Sequence, residues 1–315
     1  YKAMDDYPRA LESYLEVVDL YGNDANKGGV DVILNEITSD FRSDEWKAYD
    51  AVIMDQLDER LKAAAERGAR TLELRYQTVF AGITEGAERE VFVNSVVQAK
   101  NVPASGPGTL VLIAREGVKR GDFAIVHEAT ERFMSNFQVS NNMLYIMIAD
   151  MDALLDEGSY LAAAELSEEI LLKFGYSESV GYARKSRGDA FRLLGRHEDA
   201  LEAYKEVLRV REWRGPLTPE ALYWSGVCKL ELGAVEEAFA YFQRIYVLYE
   251  DYTEWVAPAY AKSVRCMDEL GGYDQEIIRT YKEMLANENV AATPEGRKAR
   301  ARLAELDPAA GEVAP

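Results

Sequence analysis

The sequence predicts an all-α fold, an α-solenoid of stacked antiparallel helix hairpins, and three observations predict it. The first is a recurring phrase: a glycine, one or two residues, an aromatic or its substitute, then a helix rich in small residues. It begins at Gly121, Gly158, Gly195, Gly233 and Gly271, spaced 37, 37, 38 and 38 residues apart. A fixed period of about 20–50 residues marks a stacked repeat rather than a globular enzyme fold. The second is helical periodicity on each side of the marker glycine. Between Gly181 and Arg214, the residues Ala200, Leu201, Tyr204, Val207 and Leu208 recur at three- and four-residue steps, the stripe of one buried helical face. The third is the turn itself. Gly195-Arg196 is too short to join anything but an antiparallel helix pair, and no stretch reads convincingly as a strand.

Taken in order, Asp5-Asp6-Tyr7 leads into Arg9-Ala10-Leu11, Tyr14 and Val17-Val18, which read as the second helix of a repeat. Its first helix is missing and the chain opens on Tyr1 rather than methionine. The reading therefore expects sequence upstream, and with it any signal peptide, lipid anchor or further repeat. Residues 30–41 and 44–65 form a degenerate hairpin with a long second helix, which completes an N-terminal region of residues 1–70. Repeats then fill residues 71–291. A helix over 72–80 precedes Gly86, which stands 35 residues before Gly121. The stretch from Asn101 through Pro103, Gly106 and Pro107 to Gly108 is either the one flex point or an ordinary inter-repeat loop. In the clearest unit the first helix covers 182–194 and the second covers 197–210, with Gly195 at the left-handed position that ends a helix. Gly271-Gly272 reads as a one-residue insertion. Thr293-Pro294-Glu295 is a helix start, an N-cap followed by proline and an acid. The helix it opens, within residues 292–306, carries Arg297, Lys298, Arg300 and Arg302 and is expected to cap the stack. Residues 307–315 are expected to be a disordered tail.

Composition narrows the chemistry. The 315 residues are 48% hydrophobic and 29% charged, enough for a continuous core in a soluble chain. A formal net charge of −19 repels phosphate backbones and anionic lipid headgroups, which argues against nucleic-acid or membrane-surface partners. No apolar run is long enough to span a bilayer. The two cysteines, Cys228 and Cys266, lie 38 residues apart, on equivalent positions of adjacent first helices. Packed helix axes stand about 8–10 Å apart, whereas a disulfide needs Cα atoms within about 7 Å, so the pair reads as two buried thiols. The two histidines, His127 and His197, both fall on repeat positions and read as packing residues. No Cys or His cluster has metal-ligand spacing, and Asp251 with Glu254 does not match a calcium loop. Among 55 acids none has a reason to be desolvated and proton-sharing, so neither an enzyme activity nor a cofactor is expected.

The repeat unit resembles the tetratricopeptide family. Gly188 and Gly226 match that family's small residue in the first helix, and Leu194-Gly195 and Leu232-Gly233 match its inter-helix turn. Ala163, Ala200 and Ala238 match the small residue opening the second helix, Tyr204 and Phe242 its aromatic, and Ile170, Val207 and Ile245 the apolar residue one turn on. Phe123, Tyr160 and Tyr273 match the aromatic after the turn. Departures exist: His197 and Val235 replace that aromatic, Met151 and Val264 replace the small residue, and the period exceeds the usual length of about 34. The resemblance is strongest over 144–252 and looser over 107–291.

That resemblance implies a right-handed superhelix whose first helices line a concave groove. Aligned on the marker glycines, the groove receives Tyr145, Ile148 and Asp152, then Tyr182, Lys185, Asp189 and Arg192. Next come Glu220, Tyr223, Trp224, Val227 and Leu230, followed by Ala261, Arg265 and Asp268. Tyrosines among mixed charges suit peptide recognition; the alternative is that the rings pack between neighbouring helices. Chaperone-binding members hold a terminal carboxylate with lysine and asparagine. Lys185 matches the lysine, but Asp189 stands where the asparagine belongs and Glu220 and Trp224 replace the next partners. A neutral or basic peptide segment is therefore expected as partner. The function implied is a non-catalytic scaffold for protein–protein interaction in a bacterial complex. The phrase from Phe242 to Tyr249 is similar to bacterial envelope repeat proteins, which implies a periplasmic or envelope home, a cytoplasmic one being the alternative. The other two readings are a self-assembling solenoid, as homo-oligomer or filament, and an accessory domain of a larger enzyme cut upstream.

Overall fold

The computed structural model describes residues 7–41, 43–44, 46–175 and 178–308. Asp5, Asp6 and the tail from 309 onward lie outside the described residues. The chain divides into two compact units, Tyr1–Ser159 and Tyr160–Pro315. Among the described residues the regular elements are all helical.

The first unit holds α1 (Tyr7–Tyr21), α2 (Gly29–Phe41), α3 (Asp50–Glu66), α4 (Arg70–Ile83), α5 (Gly86–Gln98), α6 (Pro107–Arg120), α7 (Phe123–Asn136) and α8 (Met143–Asp156). Even-numbered helices lead each hairpin and touch one another in a row: α2 meets α4 and α6, α4 meets α6, and α6 meets α8. The core fills from both members of each hairpin, with Leu11, Leu15 and Val18 of α1 against Leu34 and Ile37 of α2, Ile53 and Leu57 of α3, and Leu72, Tyr76 and Phe80 of α4. Each such side chain, fully buried, contributes about 1.5–3 kcal/mol relative to exposure. The long helix expected from residue 44 starts later, at Asp50. Trp46 turns inward to 2% exposure against the ring of Tyr7 at 4.9 Å, and a 3₁₀ turn over Lys47–Tyr49 carries the chain into α3.

A buried ion pair pins the N-terminal hairpins of this unit. Arg75 on α4 is 1% exposed. Its Nε and Nη2 donate to Asp31 Oδ2 at 3.0 and 2.6 Å, and Nη1 donates to the carbonyls of Gly22 and Asp24 at 2.6 and 3.0 Å. Nη2 also donates to the Lys27 carbonyl at 3.1 Å, while Asp31 Oδ1 accepts the Gly108 amide at 3.0 Å. Burial pushes the Asp31 carboxyl up, the Arg75 guanidinium and the Gly108 amide oppose that, and the net shift is upward. The segment before α6 is an ordered connection. Val102 is 2% exposed inside a 3₁₀ turn, Ser105 Oγ donates to the Asn101 carbonyl at 2.9 Å, and a Cβ on Gly106 would meet Arg75 Nη2 at 2.7 Å.

The second unit holds α9 (Tyr160–Phe174), α10 (Glu178–Leu193), α11 (His197–Arg209), α12 (Leu217–Glu231), α13 (Val235–Leu248), α14 (Thr253–Leu270), α15 (Asp274–Ala286), α16 (Glu288–Ala291) and α17 (Pro294–Leu306). Here α10, α12 and α14 lead, with α10 touching α12 and α12 touching α14. The small-against-large rule is visible atom by atom: a Cβ on Gly188 would lie 2.5 Å from Tyr204 Cε1, and one on Gly226 would lie 2.7 Å from Phe242 Cε1. The marker glycines all end a leading helix with left-handed φ, from 68° at Gly121 to 90° at Gly158. Cys228 and Cys266 are buried free thiols, and burial pushes both up to about 11. Thr293 Oγ1 accepts the Gly296 amide at 3.0 Å and so caps α17.

Candidate functional site

In the second unit the predicted groove residues share the faces of α10, α12 and α14, and most of them hold one another. Lys185 is 8% exposed, and its Nζ lies 3.0 Å from Asp189 Oδ2 and 3.1 Å from Glu220 Oε1, while its ammonium sits 4.9 Å from the Tyr182 ring centre. Burial alone would lower the Lys185 pKa, but the two carboxylates outweigh it and the net shift is upward. Asp189 Oδ1 accepts the Tyr204 hydroxyl at 2.6 Å, and Arg192 reaches the same oxygen at 3.7 Å. The Arg192 guanidinium lies 3.9 Å from the Trp224 ring centre. Tyr223 packs on Phe242 and Trp255 at ring separations of 5.6 and 5.5 Å, and Val227 joins the same core. Arg265 is exposed on α14. The Tyr223 ring thus packs into this core, the half-buried Tyr182 ring lies beside Lys185, and Lys185 is paired with two carboxylates within the chain.

In the first unit Tyr145, Ile148 and Asp152 all lie on α8. Tyr145 is 47% exposed, and Ile148 and Asp152 are half-buried. Only Tyr145 among the predicted residues lines the cleft that this unit opens along its leading helices, a cavity of 730 Å³. Its walls come from α2 through Asn35, from α4 through Thr78, Ala81 and Gly82, from α6, from Asn142 just before α8 and from Tyr145 on it, with Arg89 of α5 at one side. Helix α6 contributes Gly108, Val111, Leu112, Arg115, Glu116 and Lys119, the three- and four-residue steps of a single helix face. Thr78 Oγ1 and Thr109 Oγ1 are 3.0 Å apart behind this wall, and Asn35 Nδ2 donates to Asn142 Oδ1 at 3.4 Å across it. Glu116 is held by Lys119 at 2.7 Å and Arg89 at 3.1 Å; burial pushes its carboxyl up, and those two cations bring it below the ordinary range. The smaller cavity, 560 Å³, is lined largely by loops around Asn26, Gly28 and Phe137, with Gly29 and Val32 of α2 as the one contribution from a leading helix.

Apart from Tyr145, sequence reasoning passed over this cleft. The available signal was the step Val111, Arg115, Lys119 on a leading helix, which puts two cations on one face. His127, read as packing, is a polar link instead: Nδ1 lies 2.7 Å from Asp150 Oδ1 and Nε2 lies 3.3 Å from Glu157 Oε2. Among the described residues, no cluster of three or more His, Cys, Asp or Glu could hold a metal ion, and no helix is long and apolar enough to cross a membrane.

A tetratricopeptide-repeat family model matches two overlapping windows, residues 151–213 and 186–253. No curated protein matches the chain by sequence. Among solved structures, the apo form of the quorum sensor NprR from B. thuringiensis is similar in fold, with a TM-score of 0.57 at 15% identity over 98% of this chain and 96% of that one. The matched windows contain the Gly188–Tyr204 and Gly226–Phe242 contacts, the feature that sets helix spacing within a repeat. The chain has the all-helical fold of stacked hairpins, and residues 151–253 are similar to tetratricopeptide repeats.

Proposed function

We propose that this helical-repeat scaffold is non-catalytic and holds an extended peptide segment of a protein partner along the leading helices of its first unit. One observation carries the reading: the 730 Å³ cleft draws its lining from four leading helices, α2, α4, α6 and α8. The lining mixes apolar surface from Val111, Leu112 and Tyr145 with the amides of Asn35 and Asn142. Apolar contact fixes side chains of a bound segment, and side-chain amides pair with the donors and acceptors of its backbone. The predicted groove residues of α10, α12 and α14 enter this proposal differently. Arg192 stacked on Trp224 is a rigid aromatic–cation platform, whereas Lys185, Asp189 and Glu220 keep the leading helices in register.

The test is selection of peptides from a random display library on the immobilised chain, followed by titration on Asn35→Trp. Asn35 is exposed, so an indole there fills the cleft without disturbing the core. Selected peptides are expected to lose at least tenfold in affinity on that variant while its melting temperature stays at the parent value. Peptides that bind both proteins equally, or a library that yields no binder, would sink the proposal.

A further inference from the structure

We infer that the first-unit cleft selects a carboxylate-bearing, acidic peptide segment, anchored by Arg115. This rests on the peptide-scaffold reading and names the chemistry of its ligand. The argument is local charge. The whole chain carries −19, yet the cleft lining contains three cations, Arg89, Arg115 and Lys119, against one carboxylate, Glu116. That carboxylate is already spent on Lys119 and Arg89, and Glu90 reaches Arg89 at 3.1 Å from outside the lining. Arg115 differs from both neighbours. It is exposed on the cleft face of α6, and no ion pair or hydrogen bond engages its guanidinium among the described residues. An arginine fork presents parallel N–H donors matched to the two oxygens of a carboxylate.

The placement strengthens the inference. Arg115 stands one helical turn from Val111 and one from Lys119, so a carboxylate on its fork leaves the ligand's neighbouring residues against Val111, Leu112 and Tyr145. The positive charge that Arg115 leaves unpaired in the cleft also raises the local concentration of acidic segments, an effect that salt weakens. A basic segment meets the opposite field there. This reverses, for this cleft, the preference that bulk acidity predicts.

The experiment uses the full chain and four pools of decapeptides labelled with an uncharged dye. In three end-blocked pools alternate residues are Glu, Gln or Lys; the fourth is the Gln pool with a free C-terminal carboxylate. The Glu pool is expected to bind at least about tenfold tighter than the Lys pool, with affinity falling as salt rises. Arg115→Glu is expected to erase that preference without lowering the melting temperature, and Lys119→Gln to reduce it less. A free-carboxylate pool that matches the Glu pool supports the inference and assigns the anchor to a chain terminus. Gln and Lys pools that bind as well as the Glu pool overturn it while the peptide reading stands. Glu-pool binding unaffected by Arg115→Glu overturns the assigned site. Failure of all four pools to bind removes both readings.

Discussion

The two units use the same charged vocabulary along their leading helices to opposite ends. In the second unit, Lys185, Asp189, Glu220, Tyr204 and Arg192 close on one another, so each charge is spent inside the protein. In the first, Glu116 occupies Arg89 and Lys119 and leaves Arg115 facing an open cleft. A satisfied buried network rigidifies and fixes register. An unspent cation over a cavity does neither, and its value is realised only when a ligand supplies the missing charge. A list of charged residues on a helix face therefore cannot separate a binding wall from a structural one; the pairing of those charges does.

The comparison breaks most readily where buried charges carry structure. Arg75→Met leaves the Asp31 carboxylate buried without its partner, and the Gly22, Asp24 and Lys27 carbonyls lose their donors. The expected cost is about 3–5 kcal/mol, read as a drop in denaturant midpoint with early loss of hydrogen-exchange protection in α1 and α2. Combining it with Asp31→Leu should recover much of the loss, since removing both charges avoids the orphan. If Arg75→Met alone leaves the midpoint unchanged, the pair does not hold the unit together. In the second unit, Lys185→Met sets Asp189 and Glu220 against each other without their shared cation. A cost of about 3 kcal/mol is expected there. A neutral result would mean that this network is a solvated surface cluster, and the contrast with the first unit would fail.

Packing gives the next effect down. Gly188→Ala places a methyl 2.5 Å from Tyr204 Cε1, so α10 and α11 must part or the ring must move, with Asp189 losing its 2.6 Å hydrogen bond. Overpacking of this kind costs about 1–3 kcal/mol. Gly195→Ala meets no neighbouring atom and pays only for a left-handed backbone, about 1–2 kcal/mol. The two variants should also differ in structure: a crystal structure of Gly188→Ala should show a shifted Tyr204, and one of Gly195→Ala should not.

The fold was legible because it is local and periodic. Each marker glycine, each small residue and each aromatic lies within one repeat of its partner, and a spacing near 37 residues exposes them all. Gly188 and Tyr204 are sixteen positions apart, and their contact follows once the hairpin is drawn. The faces of α10 and α12 were legible too, though the sequence could not say that their charges would be paired. The cleft was hidden because its members come from hairpins whose period is irregular. Asn35 and Asn142 stand 107 positions apart, and no spacing rule links them. Arg75 was hidden for a different reason. An arginine on a helix reads as solvated, and its burial depends on a carboxylate 44 residues away together with three carbonyls of the α1–α2 connection.

The gentlest way to sharpen the comparison is pH. His127 joins α7 to α8 through Asp150 and Glu157. Burial lowers its pKa, but the hydrogen bonds to the two carboxylates outweigh that, and the net shift is upward from 6.5. A raised folded-state value means that the link stabilises in full below about 6.5, and that its contribution disappears as pH rises through the folded value. The second-unit network has no counterpart near neutrality: the carboxylates raise Lys185 despite burial, and burial with Asp189 raises Tyr204. Between about pH 6 and pH 8, hydrogen exchange corrected for its intrinsic rate should therefore speed up in α7 and α8 and stay level in α10 and α11. His127→Gln should flatten the response of the first unit. An equal acceleration in both units, or a response that survives the substitution, would place the titrating group elsewhere and erase this distinction between them.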